Sequence, residues 1–227
     1  MVQLPAFLPL LFAVAVIFCM FTLVRACGNS RAVILVILLW VTLQSLVSST
    51  GFYLNTFVIP PRLILLPLPP ILLIIALLAI KQGRGFMDGM NLLWLTWLHV
   101  VRIPVELVLH GLYQEGLVPE IMTFEGRNFD IVSGLSAVII CLGGFTKHRE
   151  LMIVWNFVCL VLLANIVITS ILAAPTPAQK LAFEQPNRGV LYFPFALLPA
   201  FIVPAVVLSH LAALRQLIFR GSVADNR

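Results

Sequence analysis

With 227 residues, 61% of them hydrophobic and 10% charged, the chain lies far outside the composition of a soluble domain, where about a quarter of residues carry charge. Its mean hydropathy of +1.09 makes lipid the main solvent and predicts an all-α, polytopic transmembrane helix bundle. A formal charge of +5 would point a soluble protein toward nucleic acid, but these cations stand between apolar stretches, where they act as orientation signals and indicate no nucleic acid partner.

Crossing the hydrocarbon takes about 20 apolar residues, because backbone amides and carbonyls find no water there and must bond within their own helix. Seven such stretches follow one another, at about 5–24, 32–50, 62–80, 90–113, 129–145, 151–173 and 191–214. The first has no basic residues ahead of it and no small-residue cleavage site before Arg25, so a retained helix is expected. The third carries Pro67, Pro69 and Pro70, each of which removes a backbone donor, so its first half should kink or unwind. Pro194, Pro199 and Pro204 predict a bent seventh helix. With short connections these spans use nearly all of residues 1–227, a single integral membrane domain with no separate soluble catalytic part.

Orientation follows from the cations on alternate sides of the seven spans. Arg62, Arg127, Lys180 and Arg188 fall on one side; Arg25, Arg31, Lys81, Arg84, Lys147, Arg149, Arg215, Arg220 and Arg227 fall on the other. Nine against four marks the second side as cytoplasmic and places the N-terminus outside and the C-terminus in the cytoplasm. If the third stretch did not cross, the division would be eight against five. No Asn-x-Ser/Thr sequon occurs, which fits a bacterial cytoplasmic (inner) membrane.

The fourth stretch is the informative one. It is apolar but for His99, Arg102, Glu106, His110 and Tyr113, which at about 100° per residue share an arc of about 80° and climb about 21 Å along the axis. Arg102 and Glu106 stand at i and i+4, where side chains meet, and His110 is one turn further on. A charge at membrane depth costs several kcal/mol unless it is paired or hydrated, so the stripe should face the bundle interior or a water-filled cavity. Two uses compete: a proton- or ligand-binding site in which Arg102 holds an anion or fixes Glu106, or a closed Arg102–Glu106 pair that fixes helix packing. Pro104 frees the Val100 carbonyl from its usual bond, leaving either one more acceptor or a simple kink.

The outer loop 114–130 is long for a helix hairpin and mixes acids with Leu117, Ile121, Met122, Phe124 and Phe129. Such a segment folds back on the bundle and brings Glu125, Arg127 or Asp130 near the outer end of the stripe, unless it is a solvated loop with a few apolar anchors. Ser133, Ser136, Asn156 and Asn165 are expected to bond between helices. Gln44 and Ser48 belong to the outer half, with Glu106 and His110. His210 is expected near the cytoplasmic face beside Arg215, an interfacial histidine remote from the stripe.

These residues support a proton-linked transport or small-ligand permeation protein, with a non-catalytic lipid-binding or complex-assembly subunit as the alternative and a haem or redox protein as a minor one. The expected partners are membrane lipid, a small ligand or proton, and a second membrane protein. No metal or cofactor is expected. No C-x-x-C or H-x-x-x-H pair occurs, and Lys81, Lys147 and Lys180 all lie in loops, so no lysine in the last span can hold retinal. No nucleophile, base and orienting group can be assembled from the spacing, and no reaction is assigned.

Overall fold

The computed structural model describes residues 4–220, with Arg220 as backbone only; Arg227 of the orientation signal lies outside the described residues. Helix α1 (Phe7–Ala26) has no acidic or basic residue before Arg25. Leu8, Phe12, Ala15, Cys19 and Leu23 recur at steps of three or four and are buried, while Leu10, Val14, Ile17 and Phe21 point outward, as suits a helix with a protein face and a lipid face. The chain reverses through Gly28 and Asn29, both at positive φ. Helix α2 (Arg31–Ser49) buries only Ile37, Gln44 and Ser48 and stands at the periphery.

The proline-rich third stretch begins as a 3-10 turn at Arg62–Leu65 and becomes helix α3 only from Leu68 to Ala79. Pro69 and Pro70 fall in the first turn, where the missing N–H has no intrahelical partner to lose. Helix α4 (Lys81–Asp88) then departs at 97°. That bend strips the last carbonyls of α3 of their donors, and Arg84 Nη1 donates to Leu78 O and Ala79 O at 3.1 and 2.6 Å.

Helix α5 (Leu92–Leu98) starts where the Asn91 side chain accepts from Trp94 N–H. A 3-10 turn, His99–Val101, joins it to α6 (Arg102–Gln114), and together they make the span Leu92–Gln114. The tightened turn is the response to Pro104: the backbone N–H groups at its end bond back to His99 O and Val100 O, so the Val100 carbonyl is satisfied and offers no extra acceptor. After Gly116 (φ +73) the loop turns inward, burying Leu117, Val118, Met122, Thr123 and Asn128. It therefore folds back on the bundle as expected.

Helix α7 (Asp130–Leu142) packs on α6 through Gly134, where an added Cβ would lie 2.8 Å from Ile103 Cγ1 and 3.1 Å from Ile103 N. Helix α8 spans Arg149–Ala173. The last span is α9 (Val203–Arg215) with π-helical turns at Leu198–Ile202 and Gln216–Arg220. Pro204 cannot return an N–H to Ala200 O, and the Trp40 indole of α2 donates to that carbonyl at 2.8 Å.

The described residues are helical with no strand, and five helices are long and apolar enough to cross a membrane: Phe7–Ala26, Arg31–Ser49, Leu92–Gln114, Arg149–Ala173 and Leu198–Phe219. Each of the seven expected stretches contains a helix, but two are short. α3 has 12 residues and α7 has 13, about 18 and 20 Å at 1.5 Å per residue, against about 30 Å of hydrocarbon. The last helix is also displaced along the sequence. It begins at Leu198 where 191 was expected, because the stretch after Val190 is a short turn and irregular chain around Pro194.

Candidate functional site

Leu92–Gln114 and Leu198–Phe219 pack against each other, and polar residues of both meet between them. His99, Arg102 and Glu106 are 1, 2 and 1% exposed. The five-residue stripe thus divides into an inner group of three and an outer pair. The expected Arg102–Glu106 ion pair does not organise it: Arg102 Nη1 lies 2.6 Å from Asp130 Oδ1 of α7, with a longer bond to Cys159 O of α8 at 3.3 Å. Asp130, expected at the outer end of the stripe, sits at its middle because the loop before it dips inward.

His210 is the largest departure from the sequence reading. The late start of the last helix carries it from the expected interface to the centre of the bundle, fully buried. Arg102 Nη2 donates to His210 Nε2 at 2.8 Å, and since guanidinium has only donors, Nε2 must be the accepting nitrogen. Its Nδ1–H then donates to Asn156 Oδ1 at 2.8 Å, while Asn156 Nδ2 donates to Met152 O. His99 stacks on His210, ring centroids 4.0 Å apart at 27°, and meets Trp155 edge-on at 5.2 Å. Ser209 Oγ–H donates to Leu95 O, so Oγ accepts from His99 Nε2–H at 3.2 Å. The two histidines therefore hold opposite tautomers. Two imidazoles stacked this closely leave no space for a haem between them, so they do not form a bis-histidine haem site.

Glu106 has a different partner. Asn128 Nδ2 donates to Glu106 Oε1 at 2.6 Å and also to Met122 O at 3.0 Å, while Asn128 Oδ1 accepts from Asp130 N–H. Asn128 so ties the two carboxylates of the site together through one Asx turn. Glu106 Oε2 has no hydrogen-bond partner among the described residues.

The remaining candidates lie apart from this centre. His110 is partly exposed; its Nδ1 is 3.7 Å from Glu125 Oε2, its Nε2 is 3.1 Å from Gln114 Nε2, and its ring stacks on Phe124. Tyr113 O–H donates to Glu120 Oε2 at a long 3.5 Å. Arg127 is exposed and contributes its carbonyl, which accepts from Asn165 Nδ2. Gln44 accepts from Tyr53 O–H at 2.6 Å, which engages it at the periphery. Of the polar residues expected to bond between helices, Asn156 reaches His210 and Ser136 accepts from Trp155 Nε1.

Arg102, Glu106 and Asp130 are among the residues lining a cavity of about 220 Å³ bounded by α3, α6, α8 and the last span. Apart from these three, Ser170 and Asn187, its walls are aliphatic side chains, prolines and a methionine, among them Leu66, Leu163, Ile166, Ile202 and Val206. The cavity reaches the outer surface of the bundle, where the lining residues Ile71 of α3 and Ile171 of α8 are 38 and 54% exposed. The stripe thus has a sealed side, where His99 and His210 pack, and an open side, where Arg102 and Glu106 face this space. Among the described residues no group of three or more His, Cys, Asp or Glu side chains is placed to hold a metal ion.

Five polar residues of the site were absent from the sequence reading of it: Ser170, Ser209, His210, Asn128 and Asn187. The last is fully buried, donating to Ser170 from Nδ2. The turn-like sequences Asn128-Phe-Asp130 and Pro186-Asn187-Arg-Gly189 were the available signals for the asparagines.

No curated protein and no solved structure matches the chain. A family model does, over residues 59–218, a range that contains the buried network and every residue lining the cavity and leaves out α1 and α2. On that match the chain belongs to the family described as Domain of unknown function (DUF8737).

Proposed function

We propose that this protein is a multi-pass membrane protein that takes a small, largely apolar ligand from the bilayer into the cavity beside Arg102, Glu106 and Asp130. The observation that carries this reading is the cavity itself, with largely aliphatic walls, a few buried polar residues and exposed lining residues at Ile71 and Ile171. Ligand sites are typically apolar spaces with a few placed polar groups, and this one lies among helices apolar enough to span. An ion pathway would need polar groups along its length, and here five polar residues stand among twenty apolar ones on the walls. Lipid binding is thereby favoured over permeation of a hydrated ion. The finer arrangement belongs to the same proposal: seven crossings, with α3 and α7 as short ones, the N-terminus outside and the C-terminus in the cytoplasm of a bacterial cell, supported by the nine-to-four division of cations.

Purification in mild detergent followed by mass spectrometry of bound small molecules tests this reading. One apolar ligand per chain is expected in the wild type and its loss in Val206→Phe, which fills the space; equal content in both would contradict the proposal.

A second reading, proton-linked transport, rests on Glu106, a buried carboxyl with one oxygen bound by Asn128 and the other without a hydrogen-bond partner among the described residues. If it holds, Glu106→Gln abolishes a pH-dependent flux while leaving the folded yield intact. Loss of folded protein would instead mark Glu106 as structural.

A further inference from the structure

We infer that the end of the bundle opposite the loop 114–130 is a docking surface for acidic phospholipid headgroups, engaged through Arg31, Lys81 and Lys147. The inference comes from where the chain collects its charge and is independent of what the cavity holds. Hydrogen bonds draw the helix ends together there. Asn91 N–H donates to Ala26 O at 2.8 Å, joining α5 to α1. Arg215 Nη2 meets Asp88 Oδ2 at 2.9 Å, and Gln216 Nε2 donates to Met87 O and Met90 O, joining the last span to α4. Arg149 Nε donates to Leu217 O at 2.8 Å, joining α8 to the last span.

Among the described residues, seven cations stand at this end against two acids, Asp88 and Glu150. At the other end the four cations Arg62, Arg127, Lys180 and Arg188 are matched by Glu115, Glu120, Glu125 and Glu184. Four of the seven are engaged within the protein: Arg25 lies 5.0 Å over the Trp94 ring, Arg84 holds the last carbonyls of α3, Arg149 holds Leu217 O and Arg215 pairs with Asp88. The other three, Arg31, Lys81 and Lys147, are exposed, and their side chains make no hydrogen bond, ion pair or ring contact among the described residues.

Depth then identifies the anion. Each of these three stands beside an exposed apolar side chain: Leu35 one turn after Arg31, Ile80 directly before Lys81, and Phe145 two residues before Lys147. A cation at such a boundary lays its stem on hydrocarbon and holds its charge at headgroup level, where the abundant anion is the lipid phosphodiester. Phosphatidylcholine cancels its phosphate with its own ammonium, whereas phosphatidylglycerol keeps a net negative charge, so this surface separates the two.

The test uses the full chain in phosphatidylcholine nanodiscs with a trace of chain-spin-labelled phosphatidylglycerol or phosphatidylcholine, whose protein-held fraction is read by electron paramagnetic resonance. At low salt phosphatidylglycerol is expected to be held about fivefold more strongly, the factor given by about 1 kcal/mol for one surface cation. The preference should vanish in about 1 M salt, where the screening length is about 3 Å. Replacing the three side chains together, Arg31→Gln, Lys81→Gln and Lys147→Gln, should also remove it; the wild-type comparison decides the matter even if that variant folds poorly. Val206→Phe, which fills the cavity, should leave the preference intact. Equal holding of the two lipids by the wild type, or an undiminished preference in the folded triple variant, overturns the inference. Loss in Val206→Phe overturns it by placing the acidic lipid in the cavity, and loss on adding millimolar glycerol phosphate overturns it in favour of a soluble anion.

Discussion

Asp130, the first residue of α7, meets Arg102 at 2.6 Å at the middle of the span Leu92–Gln114, with both side chains almost wholly buried. The contact joins the inward-folding loop to the centre of the bundle, since the backbone N–H of Asp130 is itself held by Asn128 and Asn128 holds Glu106. Removing either charge strands the other in a region of low dielectric. Arg102→Leu and Asp130→Leu are each expected to cost about 3–5 kcal/mol, whereas the double variant costs less than their sum. Unfolding in mixed micelles as a double-mutant cycle checks this; additive losses would contradict the pairing.

The stacked histidines give a spectroscopic expectation. His210 carries its proton on Nδ1 and His99 on Nε2, as set by Arg102, Asn156 and Ser209. Nitrogen-15 NMR of histidine-labelled protein should therefore show two buried neutral rings of opposite tautomer. Asn156→Leu should shift the His210 pattern alone, and identical tautomers in the wild type would contradict the network.

Gly134→Ala tests the contact between α6 and α7. The new methyl would press on Ile103 and the backbone beside Arg102, an overpacking expected to cost about 1–3 kcal/mol. Gly85→Ala is the control, because nothing lies within 4 Å of that position and its φ is ordinary; it should be neutral or gain up to about 1 kcal/mol. Thermal shifts of equal size in the two variants would contradict the close approach.

How far the sequence carried can be judged from these same residues. The inward stripe was legible because spacing puts His99, Arg102 and Glu106 on one face and membrane depth penalises charge that does not find company. Which company they found was not legible. Asp130 is 28 residues from Arg102, brought in by a loop whose inward turn depends on tertiary burial of Leu117, Val118 and Met122. His210 was misplaced for a local reason, a helix that starts at Leu198 because the chain around Pro194 is irregular. The cavity was out of reach altogether, being a gap between four helices.

Outside the spans, burial pushes the Cys27 thiol up to about 11, so the neutral thiol persists through ordinary pH and the reactive thiolate appears only as pH rises toward that value. Maleimide or iodoacetamide should modify Cys27 at pH 8 about two orders of magnitude more slowly than a free cysteine, whose pKa is about 8.5. Comparable rates would show an open α1–α2 turn.

The most direct measurement is photolabelling in native membranes with a headless alkyl diazirine, which reports where hydrocarbon reaches regardless of head group. Labels are expected on Leu163, Ile166 and Ile202, inside the cavity, as well as on outward residues such as Ile139 and Val161, with the inner set lost in Val206→Phe. Labels confined to the outward residues would contradict the cavity as a place that lipid chains enter.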